Sequence, residues 1–165
     1  MTDEERCYAS ALRILSYRFN SEGEMRRKLA AKRFGREIVD RTIERLRGER
    51  WLDDARFAAA WVRKRSGEGV GRLRIRRELS AAGVDDETIG VVLGESGDAA
   101  AERERLAALC ARRIGIIARR HGSGYLRSDA GRKKLLSYLL NQGYGAADAI
   151  EAVDGALKGK LKMEE

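Results

Sequence analysis

The segment Ile75-Arg-Arg-Glu-Leu79-Ser-Ala-Ala-Gly-Val84, continued by Ile89 and Leu93, has two counterparts in the same chain. The earlier one is Met25-Arg-Arg-Lys-Leu29-Ala-Ala-Lys-Arg-Phe34, continued by Val39, Ile43 and Leu46. The later one is Leu135-Leu-Ser-Tyr-Leu139-Leu-Asn-Gln-Gly-Tyr144, continued by Ala149 and Val153. In each, two apolar residues four apart draw one stripe down a helix, and an aromatic or aliphatic residue five positions later closes a turn. A short helix with its own stripe follows. Self-similarity of this kind marks stacked supersecondary units rather than one large globule. The period grows from 50 residues (Phe34 to Val84) to 60 (Val84 to Tyr144). The extra length falls around Ile116 to Arg132, including His121-Gly-Ser-Gly124, where a longer loop or a helix extension is expected.

Each unit also has a helix before its repeated segment. Tyr8, Leu12, Leu15 and Phe19 share a face in the first, Phe57 and Trp61 in the second, and Leu106, Cys110, Ile114 and Ile117 in the third. Helix-start chemistry lies between them. Ser21-Glu-Gly-Glu24 reads as a capping box, in which the hydroxyl and the carboxylate each satisfy an orphan amide. Asp53-Asp54 and Asp85-Asp86-Glu87 place carboxylates at positive helix ends. Proline is absent and 18 glycines are present, so glycine must supply the stops between helices. The expected fold is all-α, with nine helices and no sheet. Tandem three-helix modules at residues 1–52, 53–97 and 98–158 form an elongated, curved molecule, and residues 159–165 are a tail. Each module carries its own stripe, so a fragment ending at Gly97 is expected to stand alone. The charged fraction of 36% against 6% aromatics fits thin, well-solvated modules that shield each other's apolar edges.

The stretch Leu46-Arg-Gly-Glu-Arg-Trp-Leu-Asp-Asp-Ala-Arg-Phe-Ala-Ala-Ala-Trp-Val62, with Gly71-Arg-Leu-Arg-Ile-Arg-Arg-Glu-Leu-Ser-Ala-Ala-Gly-Val84, resembles the RecX family, the helical modulators of the RecA recombinase. The matching places are Gly48, Trp51, Leu52, Asp53, Asp54, Arg56, Phe57, Ala58, Trp61, Val62, Gly69, Gly71, Ile75, Leu79, Gly83 and Val84. Trp51 and Trp61 stand where the family has tyrosine, and two residues are inserted between Gly48 and Trp51. No proline follows Gly71, which leaves the start of the next helix less sharply fixed. The resemblance implies tandem three-helix repeats and a regulator of recombination and the SOS response. Such a protein docks in the groove of the RecA–DNA filament, slows ATP hydrolysis and strand exchange, and limits filament growth.

The residues themselves offer no catalytic constellation, so no enzyme and no cofactor are expected. His121 is alone beside glycines, and Asp53-Asp54 reads better as a helix cap than as an acid/base couple or metal site. Gly67-Glu-Gly-Val-Gly71 lacks the lysine of a phosphate-binding loop and any preceding strand. Cys7 and Cys110 are isolated, with no metal-ligand spacing, and a reducing compartment suits them. The acidic start Met-Thr-Asp-Glu-Glu does not read as a signal peptide, and no apolar run approaches membrane-span length. A cytoplasmic protein without membrane contact is expected.

Charge gives the binding expectation. The net charge is +8, from 34 basic and 26 acidic residues, which favours acidic partners. Between Arg63 and Arg77, Arg63, Lys64, Arg65, Arg72, Arg74, Arg76 and Arg77 face only Glu68. With Ile75 and Leu79 buried, helical phase turns Arg74, Arg76 and Arg77 outward and puts Arg72 near the boundary. Arg26, Arg27 and Lys28 in the first unit, and Arg132, Lys133 and Lys134 in the third, lie on the matching helices. A row of basic helices suits a long polyanion or nucleoprotein filament, contacted by a monomer. It also suits single- and double-stranded DNA held without sequence specificity, because arginine alone holds phosphate without reading bases. The alternative is a DNA-binding transcription regulator of helix-turn-helix type, which would act as a dimer on a palindromic site.

Overall fold

The computed structural model describes residues 1–95 and 99–161, with side chains to Lys158. The described residues form nine α-helices, one 3-10 helix and no strand. The first three are α1 (Asp3–Leu15), α2 (Glu22–Ala31) and α3 (Arg36–Gly48). The middle three are α4 (Asp54–Gly67), α5 (Arg72–Ala82) and α6 (Asp86–Glu95). Then follow α7 (Ala99–His121), the 3-10 turn η1 (Ser123–Arg127), α8 (Asp129–Asn141) and α9 (Ala146–Leu161). The nine α-helices expected from the repeat are present among the described residues. The boundary expected at residues 97 and 98 lies outside the described residues, as do residues 162–165, while α9 continues to Leu161.

The described residues group into two compact units. One comprises Met1–Val62 with Arg77–Glu95, and the other Arg63–Arg76 with the described residues after Glu95. In the first unit Cys7, Ala11, Met25, Leu29, Val39, Ile43, Leu46 and Leu52 form a core of α1 to α3 and the turn after them. In the second, Leu106, Cys110, Ile114 and Ile117 of α7 pack with Leu135 and Leu139 of α8, Tyr144, and Ala149 and Val153 of α9. The stripes at Ile75 and Leu79 on α5, and at Ile89 and Leu93 on α6, are likewise buried. The ten extra residues of the last repeat are a helix extension and a tight turn together. α7 runs for 23 residues, about 34 Å at 1.5 Å per residue, and η1 folds back to bury Leu126.

Two local expectations change. Phe19 does not continue the α1 stripe, because the helix ends at Leu15 and Phe19 is 63% exposed. The residues α1 buries completely are the small Cys7 and Ala11, which let neighbouring helices come close, while Tyr8 sits at the rim with Arg45 over its ring and its hydroxyl on Glu49. The capping box at Ser21 is half formed. Ser21 Oγ accepts from the Glu24 amide at 3.0 Å, but the Glu24 carboxylate turns to Arg18. A complete capping box is present at Thr2 and Glu5.

A close joint recurs once in each unit. In the first, Ser21 Oγ donates to the Ala82 carbonyl at 2.6 Å, and a Cβ on Gly23 would meet the Ala82 oxygen at 2.6 Å and Gly83 Cα at 2.8 Å. In the second, the Gly71 amide donates to the Gln142 carbonyl at 2.8 Å and the Leu73 amide to the Gly143 carbonyl at 3.1 Å. A Cβ on Gly71 would lie 2.7 Å from the Tyr144 nitrogen. Ser21 and Gly71 stand at one repeat position, four residues before Met25 and Ile75; Gly83 and Gly143, at φ +87° and +92°, stand at another. These carbonyls satisfy the orphan amides at the start of α5, so the missing proline is replaced by a tertiary contact. The outer positions of the series are closed differently. The residue equivalent to Gly83 in the first repeat is Arg33 at φ +65°, and the one equivalent to Gly71 in the third is Gly131, covered by Tyr125 and Leu126.

Candidate basic interface

The arginines of α5 are sorted by the helical phase that buries Ile75 and Leu79, both fully enclosed. Arg76 and Arg77 are exposed, while Arg72 and Arg74 are half-buried. Arg74 differs from its expected outward position because its backbone abuts Gly143: a Cβ there would lie 2.5 Å from the Arg74 nitrogen. Arg72 approaches Glu102 of α7 at 3.7 Å. On α4, Arg63 and Lys64 are exposed and Arg65 is half-buried in an ion pair with Glu68. These cations sit in the last turns of α4, where they also suit the negative end of the helix dipole.

The turn between α4 and α5 is built by packing rather than by phosphate-binding geometry. Gly69, at φ +78°, lets Val70 bury its side chain, and the Val70 amide returns to the Arg65 carbonyl at 3.0 Å. Tyr144 donates its hydroxyl to the Gly69 carbonyl at 3.1 Å, and burial pushes its ionisation above the ordinary range.

The other two basic runs also have local partners. Arg26 pairs with Asp40, Arg27 donates to the Ala81 carbonyl at 3.0 Å, and Lys28 donates to Asn20 Oδ1 at 2.5 Å. Burial, and then Arg18, depress the Lys28 ammonium below its usual range. In the third repeat Arg132 pairs with Asp154 of α9 at 2.5 Å, and Lys134 lies 3.2 Å from His121 Nε2. Lys133 is exposed. The runs also differ in register, since Arg26 and Arg27 follow Met25 as Arg76 and Arg77 follow Ile75, whereas Arg132 to Lys134 precede Leu135.

The carboxylates have structural work. Asp53 Oδ1 accepts from the Arg56 amide at 2.9 Å and caps α4, while Asp54 Oδ1 accepts from the Glu22 amide at 2.8 Å and caps α2. Burial holds Asp54 above the ordinary carboxylate range. Asp85 caps α6 through the Thr88 amide and hydroxyl, and those bonds hold it below that range. Desolvation, followed by Lys134 and Arg120, lowers the His121 imidazole, which stacks on Tyr125 at 4.7 Å. Cys7 and Cys110 are buried, and burial raises both thiols. No group of metal-ligating side chains occurs among the described residues, and no described helix is long and apolar enough to cross a membrane. The sequence reading missed the glycine joints, although Gly83 and Gly143 recur at one repeat position, and it missed Tyr17, an aromatic beside Arg18 that no stripe requires.

These features define a class: a helical protein of tandem three-helix modules, with arginines displayed beside buried stripes. Residues 7–46 match the family described as RecX, first three-helix domain, and residues 53–93 match RecX, second three-helix domain. The regulatory protein RecX of Mycobacterium ulcerans (strain Agy99) is 35% identical over 153 residues, covering 91% of this chain and 84% of that protein. The regulatory protein RecX of Xanthomonas oryzae pv. oryzae (strain MAFF 311018) is 46% identical over 83 residues, 50% of this chain. This chain spans about half (52%) of the length of that relative. The crystal structure of RecX from Lactobacillus salivarius shares the fold, with a TM-score of 0.75 at 23% identity, covering 94% of this chain and 97% of that one. The chain belongs to the RecX family of regulatory proteins. The two matched domains correspond to α1–α3 and α4–α6, and the likeness of fold extends over α7–α9 as well.

Proposed function

We propose that this chain regulates the RecA recombinase by binding the RecA–DNA filament and restraining its ATP hydrolysis and strand exchange, with consequences for the SOS response. The observation that carries the reading is membership of the RecX family, reached at 35% identity over nearly the whole chain. The exposed Arg63, Lys64, Arg76 and Arg77 support it, because they display charge beside enclosed stripes on α4 and α5. Arginine forks suit both carboxylates and phosphates, so one such face can serve a protein surface and a DNA backbone. The mechanism is steric: the chain occupies the filament and transfers no group. It acts in the cytoplasm as a monomer of three modules, bounded near residues 52 and 97, and holds single- or double-stranded DNA without reading sequence. Several modest contacts on linked modules reinforce one another, since later contacts become intramolecular. The test is RecA's DNA-dependent ATP hydrolysis titrated with the full chain. Hydrolysis should fall as the chain is added, and a rate unchanged at saturating chain would overturn the proposal.

A further inference from the structure

The first unit carries a groove that the basic runs do not account for. It measures about 500 Å³ and is lined by Ile14, Tyr17, Arg18, Lys28, Ala31 and Lys32. Ile14, Ala31 and the Tyr17 ring give it an apolar lining, and three cations stand among its lining residues, of which Arg18 is already paired with Glu24. Tyr17 stands at the edge, 79% exposed, just past the end of α1. The cations are held in place. Arg18 is clamped by both oxygens of Glu24, at 2.9 and 3.0 Å, and Lys28 is tethered to Asn20. Lys32, the C-cap of α2, is exposed at the open side.

A flat aromatic face beside tethered and exposed cations matches the chemistry of one nucleotide: a base for the ring, a phosphate for the ammonium groups. Aliphatic protein ligands would use the floor but leave the cations unanswered. We infer that this groove is a stacking site for single-stranded DNA, with a base on Tyr17 over Ile14 and Ala31 and its phosphate at Lys32 and Lys28. Stacking on an aromatic ring tolerates any base, because every base has a π-face. The site would let the first unit hold a DNA strand by its bases, which a phosphate-binding arginine face does not do. It extends the nucleic-acid part of the reading above and rests on that reading only in taking DNA as the source of the strand.

The test uses the full chain and two fluorescent oligonucleotides of equal length and charge, one oligo(dT) and one abasic. Anisotropy should show Tyr17→Ala weakening oligo(dT) binding by about tenfold, within the range for loss of one aromatic stack, while abasic binding stays unchanged. Tyr17→Phe should bind oligo(dT) like the parent, and Lys32→Ala should weaken both oligonucleotides. Because Tyr17 is 79% exposed, the urea midpoint of each variant should match the parent. Arg76→Ala/Arg77→Ala separates the two proposals, since a loss there is expected equally on both oligonucleotides. If Tyr17→Ala binds oligo(dT) as the parent does, or loses both oligonucleotides equally, the stacking site is wrong, whatever the arginine variant does.

Discussion

Replacing Gly143 with alanine tests the joint in the second unit. Gly143 has φ +92°, and a Cβ there would overlap Arg74 Cβ and lie 2.5 Å from the Arg74 nitrogen and 2.9 Å from its Cα. An L-residue in the left-handed region costs roughly 1–2 kcal/mol. The obstructing atoms are mostly backbone, so no rotamer change relieves them, and overpacking of this kind adds about 1–3 kcal/mol. Separating the backbones also stretches the Gly71–Gln142 and Leu73–Gly143 hydrogen bonds, each worth roughly 1 kcal/mol. A loss of about 3 kcal/mol is therefore the modest expectation. With a urea dependence of about 2 kcal/mol per molar, the unfolding midpoint should fall by roughly 1.5 M. Gly90→Ala is the matched control, because Gly90 lies inside α6 with nothing within 4 Å of its absent Cβ. It should stabilise by about 1 kcal/mol. If Gly143→Ala unfolds at the parent's midpoint while Gly90→Ala behaves as expected, the close joint is not real.

Two further expectations follow from the caps and the arginines. Asp54 has a folded-state pKa above its unfolded one, so its contribution to stability is greatest in acid and falls as pH rises through the folded value. Asp85 has a depressed pKa, so its contribution is present above the unfolded value and is lost as pH falls through the folded one. Urea midpoints from about pH 3 to about pH 7 should therefore show Asp54→Asn gaining on the parent as pH rises and Asp85→Asn gaining as pH falls; parallel curves would contradict both assignments. The exposed Arg63, Arg76 and Arg77 should be replaceable by alanine within about 0.5 kcal/mol of stability. The same triple variant should flatten the salt dependence of DNA binding by roughly one unit for each phosphate it no longer neutralises, whereas an unchanged slope would leave those side chains as solvated helix faces.

The helices and their stripes were legible because Met25–Leu29, Ile75–Leu79 and Leu135–Leu139 repeat one spacing, and all six residues are buried. Local spacing carried no information on which backbones meet. The start of α5 is fixed by Gln142 and Gly143, some 70 residues away in sequence, so sequence reading saw only an absent proline. Asp54 looked like a cap for its own helix, but its acceptor serves α2 through Glu22. A fragment ending at Gly97 looked self-sufficient because each module has a stripe. Residues 63–76, however, group with α7–α9, and such a cut would leave that segment without the surface it packs on. Of the candidate arginines, phase identified Arg76 and Arg77 as exposed but not the half-burial of Arg74, which depends on the approach of Gly143.

Co-sedimentation of the full chain with preformed RecA–single-stranded-DNA filaments, beside naked single-stranded DNA at the same moderate salt, tests the central claim most directly. The chain should pellet with the filament at concentrations that leave it in the supernatant with naked DNA, and Arg63→Ala/Arg76→Ala/Arg77→Ala should shift filament binding to higher concentration. Equal pelleting with filament and naked DNA, or none with the filament, would contradict the account.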